Sequence, residues 1–583
     1  MTRTFRTLIV AIFLLGCATA LTWYRFPARA QESSSSGTLF GEVRDSQNQP
    51  VVGAQITLRK NSEDDPIAQT STQPDGSFAL SISNSEPSAE SYQVQDESLS
   101  TEEIPNGLML NVERAHFDST SLLLEKGDVQ TLKNGQPVVI PTITLQRHIG
   151  PAFWIASVIF VIVLILIATS VMHNTLAALV GATLIYLISY LGNPLNENLF
   201  IFNFLDSLEY IDWNVIFLIM GMMIVIAVVE KTGVFQWMAF FAYRISGGRM
   251  WLLLPILMLI TGVASAFLDN VTTMLLMTPI SVQIALALNI NPLALLMPEV
   301  FASNVIGIST LIGTPTNILI GSFANISFNG FLINLTPGVL MAFIGLVIYN
   351  GFIYRKELAE SRSASPALME TLEQRGRITQ PEHLKKAGVI GAGMLILFIF
   401  GERIHLLPAV TALVGATGLL VWIRPDIEEM IEAVDWTTLV FFMALFIVVG
   451  AIQEVGLISL IADVIGRLVG DNLMVTMLAI TWLSAILSMV VANIPFTAAM
   501  LPVVGFLSAT VPGANNKVLF FCLSVGSAMG GNGSLIGASA NMITAGISER
   551  AGYPITYIYF LKKGFPALVI TVGLAMIWLF IHF

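Results

Sequence analysis

Long apolar runs separated by short polar stretches fill the chain from about residue 151 to residue 583. A helix needs about 20 apolar residues to cross a bilayer, and many of these runs approach that length. The pattern therefore predicts an α-helical polytopic membrane protein, in which runs interrupted by Gly, Pro or polar residues form broken helices. The predicted segments are about 151–170, 174–192, 213–230, 250–268, 274–289, 294–311, 332–354, 386–403, 407–424, 436–454, 473–490, 498–512, 516–533 and 566–583.

A different pattern occupies residues 31 to about 148, where apolar and polar positions alternate in short segments such as 38–44 and 54–59. Such alternation, with turn signals between the segments, predicts a small β-sandwich. The order of 41–45, 50–58 and 75–78 resembles the carboxypeptidase-regulatory-like domain, which implies an accessory module without catalysis. A stabilising appendage and a sensory or partner-binding module are the two roles considered.

Residues 1–30 combine two arginines, an apolar stretch from Leu8 to about Leu21 and an Ala28-Arg-Ala30 sequence. These features predict a signal peptide. An uncleaved signal anchor and a lipoprotein signal at Cys17 are the alternatives. Each of the three places residues 31–148 on the extracytoplasmic side of the plasma (inner) membrane.

Composition agrees with a membrane protein, since 55% of the residues are hydrophobic, 11% are charged and the mean hydropathy is +0.75. The chain has no basic stripe interleaved with aromatic residues, so nucleic acid is not expected as a partner. The two cysteines, both in apolar segments, cannot form a disulfide framework or a metal site. No nucleophile–base pairing is visible, so an enzyme is not expected.

The membrane part contains a long internal repeat. Asn270 and Pro279 recur as Asn493 and Pro502, both at an offset of 223. Asp212-Trp213 recurs as Asp435-Trp436 at the same offset, and residues 310–317 recur as 534–541 at an offset of 224. The repeat predicts two transmembrane halves, 151–354 and 387–583, joined by a linker at 355–386. Paired, interrupted segments of this kind mark the binding site of a secondary transporter.

Charge placement predicts how the halves are oriented. The linker 355–386 is rich in Lys and Arg, which places it in the cytoplasm. Counting from there, residues 250–289 form a re-entrant hairpin, and the two copies become inverted repeats. Two amphipathic segments, 235–243 and 457–468, are predicted to lie in the membrane interface or to be ordinary loops.

Asp269 is the candidate ion-binding group, because an unpaired charge at membrane depth costs about 3 kcal/mol. Its repeat position holds Ala492, so only one half carries a carboxylate there. Burial favours the neutral acid and a bound cation favours the carboxylate, so proton and cation should compete for Asp269. A salt-bridged structural role is the alternative. Other charged residues are predicted to be interfacial, namely Glu230, Lys231, Glu299, Glu402, Arg403 and Glu454.

Irregular backbone at the hairpin tips and helix breaks can bind ions through carbonyl oxygens and helix N-termini. The predicted ion- or substrate-binding residues are Asp269, Asn270, Thr272, Thr273, Gly313, Thr314, Thr316, Asn317, Asn493, Thr497, Asn532, Ser534, Gly537, Ser539 and Asn541. Na⁺ is expected at Asp269, Asn270 and Asn493. The alternative is that the Asn and Thr side chains cap half-helices while the glycines allow close packing.

Residues 266–279, 313–317 and 493–502 resemble the ion transporter superfamily and its citrate-transporter-like domain. The branch in question contains arsenite permeases, sodium/proton antiporters and the melanosomal P protein. The resemblance covers about 174–583 and implies two inverted repeats with re-entrant hairpins, a homodimer and an elevator-like movement. In the dicarboxylate branch each tip reads Ser-Asn-Thr, whereas here apolar Val271 and Ile494 replace the substrate-side threonines.

The sequence thus predicts a secondary transporter of a small inorganic ion, with sodium/proton exchange as the leading interpretation. Anion or arsenite/antimonite export and a passive anion channel are the alternatives, and a membrane receptor is a further class. Besides the ion and the bilayer, a second copy of the chain is the expected partner. No cofactor is expected other than a coupling ion, Na⁺ or H⁺.

Overall fold

The computed structural model describes residues 37–46, 50–60, 66–82, 108–169, 171–247, 249–360, 376–470 and 472–583. The chain divides into two compact units, Met1–His148 and Ile149–Phe583. The predicted signal at residues 1–30 lies outside the described residues, as does part of the predicted linker.

The first unit is a β-sandwich, as its alternating pattern predicts. One sheet has the strand order β4-β1-β7 with β8 also paired to β1, and the other has the order β3-β2-β5-β6. Side chains from both sheets, such as Leu39, Val43, Ile56 and Leu110, share one buried core. The elements are β1 (Gly37–Asp45), β2 (Gln55–Arg59), β3 (Ala68–Ser71), β4 (Ser77–Ile82), β5 (Met109–Glu113), β6 (Thr120–Leu123), α1 (Lys126–Lys133), β7 (Val138–Val139) and β8 (Ile143–Leu145).

The second unit is helical throughout its described part, and eleven of its described helices are long and apolar enough to cross a membrane. The protein is therefore a multi-pass membrane protein, as predicted. Its first half contains α2 (Pro151–Thr169), α3 (Asn174–Leu187), α4 (Phe204–Glu209), α5 (Trp213–Glu230), α6 (Val234–Ser246), α7 (Met250–Phe267), α8 (Asn270–Ala287), α9 (Leu293–Ile306), α10 (Pro315–Phe323), α11 (Phe328–Ile353) and α12 (Arg355–Glu360).

The second half repeats this order of elements. It contains α13 (Pro381–Phe400), α14 (Pro408–Ile423), α15 (Ile427–Glu432), α16 (Trp436–Glu454), α17 (Leu457–Val469), α18 (Leu473–Val490), α19 (Asn493–Thr510), α20 (Val518–Gly530), α21 (Ser539–Arg550) and α22 (Tyr557–His582).

Packing follows the repeat as well. Helix α7 packs on α9 as α18 packs on α20, and α5 packs on α14 as α16 packs on α3. The caps match too: the Oδ1 atom of Asp212 accepts from the Val215 amide at 3.1 Å, and that of Asp435 accepts from the Thr438 amide at 3.1 Å. Each aspartate satisfies one of the free amides at the start of its helix. The repeated Asp-Trp pair is therefore a helix-start signal.

Several helices begin earlier than the apolar pattern predicts. Helices α8 and α19 start at Asn270 and Asn493, four and five residues before the predicted segments, because polar residues are favourable in a first helical turn. Helix α22 starts at Tyr557 rather than 566, where the Thr556 side chain caps it by accepting from the Tyr559 amide. The short helices α10 and α21 fall in stretches that the apolar pattern left as breaks.

Candidate functional site

The first tip consists of Leu268 and Asp269, which join α7 to α8. Asp269 is the N-cap of α8. Its Oδ1 atom accepts from the Thr272 amide at 2.9 Å, and its Oδ2 atom accepts from the Thr272 hydroxyl at 2.5 Å. The carboxylate is thus held in place by its own helix, and Thr272 is one of the groups that hold it.

The first tip is docked onto a break in the chain between α9 and α10. The Ser265 hydroxyl donates to the Ser303 carbonyl at 3.1 Å, and the Thr310 hydroxyl donates to the Ala266 carbonyl. Gly313 fits only because it lacks a side chain, since a Cβ atom there would lie 2.2 Å from the Gly307 carbonyl oxygen. The hairpin and the broken helix therefore form one packed unit.

The second tip, Val491 and Ala492, is docked in the equivalent way on the break between α20 and α21. The Ser488 hydroxyl donates to the Ser527 carbonyl, and the Ser534 hydroxyl donates to the Met489 carbonyl. At Gly537 a Cβ atom would lie 3.0 Å from the Gly531 Cα atom. These contacts are the repeat partners of those at the first tip. The predicted residue Ser534 therefore holds the second tip on its break, and the predicted residues Gly313 and Gly537 allow each tip to approach its break closely.

Two buried asparagines brace the breaks themselves. The Asn317 amide donates to the carbonyls of Ile308 at 2.8 Å and Thr310 at 2.7 Å. The Asn541 amide donates to the carbonyls of Gly531 at 2.7 Å and Ser534 at 2.9 Å. These carbonyls lie where helical hydrogen bonding stops, so each asparagine satisfies groups that are costly to bury alone.

A series of hydrogen-bonded amide side chains, called the amide chain below, runs from the first tip to the second half. Asn270 donates from Nδ2 to the Asn304 Oδ1 atom at 3.0 Å. Asn304 donates to Asn532 Oδ1 at 2.9 Å and to Asn541 Oδ1 at 3.1 Å. A further contact between the halves runs from the Ser524 hydroxyl to Asn317 Oδ1 at 2.6 Å. The predicted residues Asn270, Asn532 and Asn541 are thus brought together, and Asn304 connects them.

Residues 162–515 match the family model described as "Citrate transporter" (CitMHS). The chain belongs to the CitMHS family. The superfamily that the motifs indicate is thereby confirmed, and the protein is a membrane transporter.

Among its relatives, an uncharacterised transporter of Mycobacterium tuberculosis (strain H37Rv) is 35% identical over 430 residues, which cover 74% of this chain and 98% of the relative. A 46 kDa membrane protein of Mycobacterium leprae is also 35% identical over 430 residues, with the same two coverages. The P protein of Homo sapiens is 31% identical over 523 residues, covering 76% of this chain and 62% of the P protein.

Not every predicted residue of this CitMHS protein joins the amide chain. Asn493 is buried but makes no hydrogen bond through its side chain to a described residue, and Ser539 is only partly buried. The Thr497 hydroxyl donates to the Asn493 carbonyl at 2.7 Å, while Thr314 and Thr316 contact each other at 3.0 Å. These threonines play the capping and helix-bonding roles of the alternative interpretation.

Two central side chains keep atoms without partners. Among the described residues, the Thr273 hydroxyl and the Nδ2 atom of Asn532 have no hydrogen-bond partner although both atoms are buried. Unpaired buried polar atoms are uncommon in folded proteins. They are therefore available to a ligand, and Asn532 lies where the two halves of the CitMHS protein meet.

Asn304 was missed by the sequence analysis. It is a single amide in the apolar run 294–311, and Ser527 and Ala528 stand at its repeat positions, so the repeat did not mark it. An amide inside a long apolar run was the signal that could have identified it, because such a group needs partners at membrane depth.

The prediction that Glu299 lies in the membrane interface is wrong. Its side chain is fully buried in α9 and is not interfacial. Its Oε2 atom accepts from the Ser281 hydroxyl at 2.9 Å and from the Thr261 hydroxyl at 3.2 Å. The apolar run 294–311 continues on both sides of Glu299, which places the residue within the helix rather than at its end.

Two cavities border the packed units of this CitMHS transporter. One of about 540 Å³ lies against α8, where Leu276, Pro279 and Gln283 line it together with Lys231 and Arg377. The other, of about 290 Å³, lies against α10, and its polar lining includes Asn214, Ser322, Asn325 and His405. One cavity thus lies along the later turns of α8, and the other lies along α10.

Proposed function

We propose that the chain is a secondary transporter that exchanges Na⁺ for protons by alternating access, with Asp269 and Asn270 binding the ion at the first tip. The observation that carries this proposal is the lack of a cationic partner for the carboxyl group of Asp269 among the described residues. Its electrostatic neighbour is another carboxylate, Asp435, and no Lys or Arg of the described chain forms an ion pair with it. A carboxylate so placed is neutralised by a proton or a metal cation.

The surrounding groups suit a hard cation. Carboxylate and amide oxygens and the backbone carbonyls of broken helices are typical Na⁺ ligands in secondary transporters. The carboxylate oxygens of Asp269 keep lone pairs beyond those used by Thr272. The unpartnered Thr273 hydroxyl lies one turn into the same helix. Competition between Na⁺ and H⁺ for one carboxylate would then couple the two fluxes.

The test uses purified protein in liposomes loaded with a pH-sensitive dye, to which Na⁺, Li⁺ or K⁺ is added outside. Asp269→Asn preserves the capping oxygen but removes the charge, so cation-dependent proton movement should fall by at least about tenfold. Asp212→Asn is the matched control, because Asp212 caps α5 in the same manner and lies outside the tip. Unaltered flux in Asp269→Asn, or no cation dependence in the wild type, would overturn the proposal.

Anion transport is the second candidate, and the second tip favours it. The N-caps of α19 and α21 are Ala492 and Ala538, which offer no side-chain oxygen to the free amides. Helix N-termini attract anions, and the Nδ2 atom of Asn532 is an unpartnered donor among the described residues. Citrate added to the same liposomes tests this candidate. Saturable uptake that drives a second ion uphill indicates a transporter, whereas non-saturating flux indicates a channel.

A further inference from the structure

The carboxyl group of Glu299 makes no hydrogen bond to the described residues of the first tip. It belongs to α9, whose residues are all buried. Neutral hydroxyls of α7 and α8 donate only to its Oε2 atom. Among the described residues its Oε1 atom has no hydrogen-bond partner, and neither has the hydroxyl of Thr278, which lies one turn before Ser281 on α8.

No described residue of the elements around α9 forms an ion pair with Glu299. Helices α7, α8 and α20 contain no Lys, Arg, Asp or Glu between their first and last residues, and α11 contains none either. None of the titratable groups on the described helices packed against α9 is hydrogen-bonded or ion-paired to Glu299. Those groups are Tyr349 on α11, Cys522 on α20, Glu549 and Arg550 on α21, and Tyr557, Tyr559, Lys562, Lys563 and His582 on α22.

The repeat provides an independent observation. With the repeat offsets of 223 and 224 residues, the positions equivalent to Glu299 are Cys522 and Leu523. With the offset of 223, the position equivalent to Thr261 is Ser484. The equivalent place in the second half is thus built from neutral side chains. A carboxyl group is therefore not needed for the packing of α9 between its hairpin and its neighbours.

We propose that Glu299 is a proton-binding site of the transport cycle, distinct from the ion site at the first tip. The inference rests on the proposed cation/proton exchange and adds to it a second carboxyl group in the same half. The proton comes from water on one side, is bound as O–H on the carboxyl group, and leaves to water on the other. No covalent bond other than this O–H bond forms or breaks.

The position of Glu299 explains how its protonation would be tied to movement. It is enclosed by both arms of the first hairpin through Thr261 and Ser281. The opposite face of α8 lines the cavity that contains Pro279 and Gln283. Helix α8 thus separates Glu299 from that cavity, and a shift of the hairpin relative to α9 would expose the carboxyl group to water.

The experiment compares the wild type with Glu299→Gln, which preserves size and removes the titratable group. In liposomes held at defined membrane potentials, the number of protons exchanged per Na⁺, read from the reversal potential, should fall by one in Glu299→Gln. Cys522→Ser, a buried substitution at the repeat position, should leave that number unchanged. An unchanged ratio in Glu299→Gln would overturn the proposal.

A second measurement does not need transport. Infrared difference titration of the detergent-solubilised full chain should reveal a protonated carboxyl group that persists in Asp269→Asn and is absent in Glu299→Gln. Ser281→Ala removes a donor to the charged form, so the midpoint of that titration should move to higher pH. If Glu299→Gln does not fold, a midpoint that is the same in Ser281→Ala and the wild type overturns the proposal.

The two measurements separate this inference from the proposed function. A titrating group assigned to Glu299, together with no cation-dependent flux, would overturn sodium/proton exchange and leave the proton site supported. Normal sodium/proton exchange, together with an unaltered stoichiometry and an unaltered infrared spectrum in Glu299→Gln, would support the proposed function and overturn the proton site at Glu299.

Discussion

Asp269 and Glu299 are both carboxyl groups of the first half, but they are held by different kinds of donor. Asp269 accepts hydrogen bonds from an amide and a hydroxyl of its own helix, which an N-cap receives wherever a helix begins. Among the described residues, Glu299 accepts only from hydroxyls of two other helices. The first arrangement depends on local sequence, whereas the second depends on how three helices pack.

Asn541 carries several of the contacts at the centre of the molecule. It satisfies two carbonyls at the second break and accepts from Asn304 of the other half. Asn541→Ala would leave these groups buried without partners, and each unsatisfied group costs about 1–3 kcal/mol. We expect a clearly lower unfolding temperature in detergent, measured by intrinsic fluorescence. Ser539→Ala, two residues earlier and only partly buried, is the control and should change it little. Equal unfolding temperatures would contradict this role of Asn541.

At the residue scale, duplication in the repeat was one signal by which the sequence marked a group, and an isolated charge in an apolar run, as at Asp269, was another. Asn317 and Asn541 are duplicated, and both brace a break. Asn304 and Glu299 are not duplicated, and each takes its meaning from groups on other helices. The sequence could show both residues only as polar groups inside the apolar run 294–311. Contacts between segments distant in the sequence are not encoded in local spacing, so the partners of these two residues are known only from the folded structure.

Between elements, the first hairpin and its broken helix approach each other too closely for a side chain at Gly313. A Cβ atom at Gly313 would be 2.2 Å from the Gly307 carbonyl oxygen and 2.7 Å from that of Ser265. Both neighbours are backbone atoms that cannot rotate away, so Gly313→Ala must push the hairpin off the break. Overpacking of this kind typically costs about 1–3 kcal/mol. We expect lower thermal stability and loss of transport.

The controls for this prediction are two other glycines. Gly537→Ala meets backbone at 3.0 Å rather than 2.2 Å, so its effect should be the smaller of the two. Gly351→Ala in α11 meets nothing within 4 Å and should be neutral or stabilising, because Ala is favoured over Gly in helices by roughly 1 kcal/mol. Equal unfolding temperatures for the Gly313 and Gly351 variants would contradict the packing argument.

At the element scale, the existence of the helices was predictable, whereas the starts of the two helices that follow the tips were not. The apolar runs located most of the spanning segments, but they placed the starts of α8 and α19 too late. Apolarity measures contact with lipid or core, while a helix start depends on which groups satisfy the free amides. Asp269, Asn270 and Asn493 are polar, so a hydrophobicity criterion excluded the residues at which these helices begin.

On the scale of the whole molecule, the two halves interlock through their hairpins. The second arm of each hairpin packs on the half-helix of the other half, α8 on α21 and α19 on α10. The hydrogen bonds from Asn304 to Asn532 and Asn541 also connect the two halves. A movement of one hairpin therefore changes contacts in both halves, which is the coupling that alternating access requires.

The β-sandwich is the remaining part of the molecule, and its core argues for independence. Residues of both sheets, including Leu39, Ile56 and Leu110, are fully buried within the unit Met1–His148, as is Leu132 of α1. A domain with its own core folds without the rest of the chain. We expect the fragment 31–148 to unfold cooperatively, as followed by circular dichroism.

The same independence predicts that transport does not need the β-sandwich. A chain that keeps the segment 1–30 but lacks the segment 31–148 should retain the flux of the wild type in liposomes. The same deletion combined with Asp269→Asn is the control and should abolish the flux, because the proposed ion-binding residues Asp269 and Asn270 lie in the helical unit. Loss of flux from a deleted chain that remains folded and inserted would show instead that the β-sandwich takes part in gating, as expected of a sensory module.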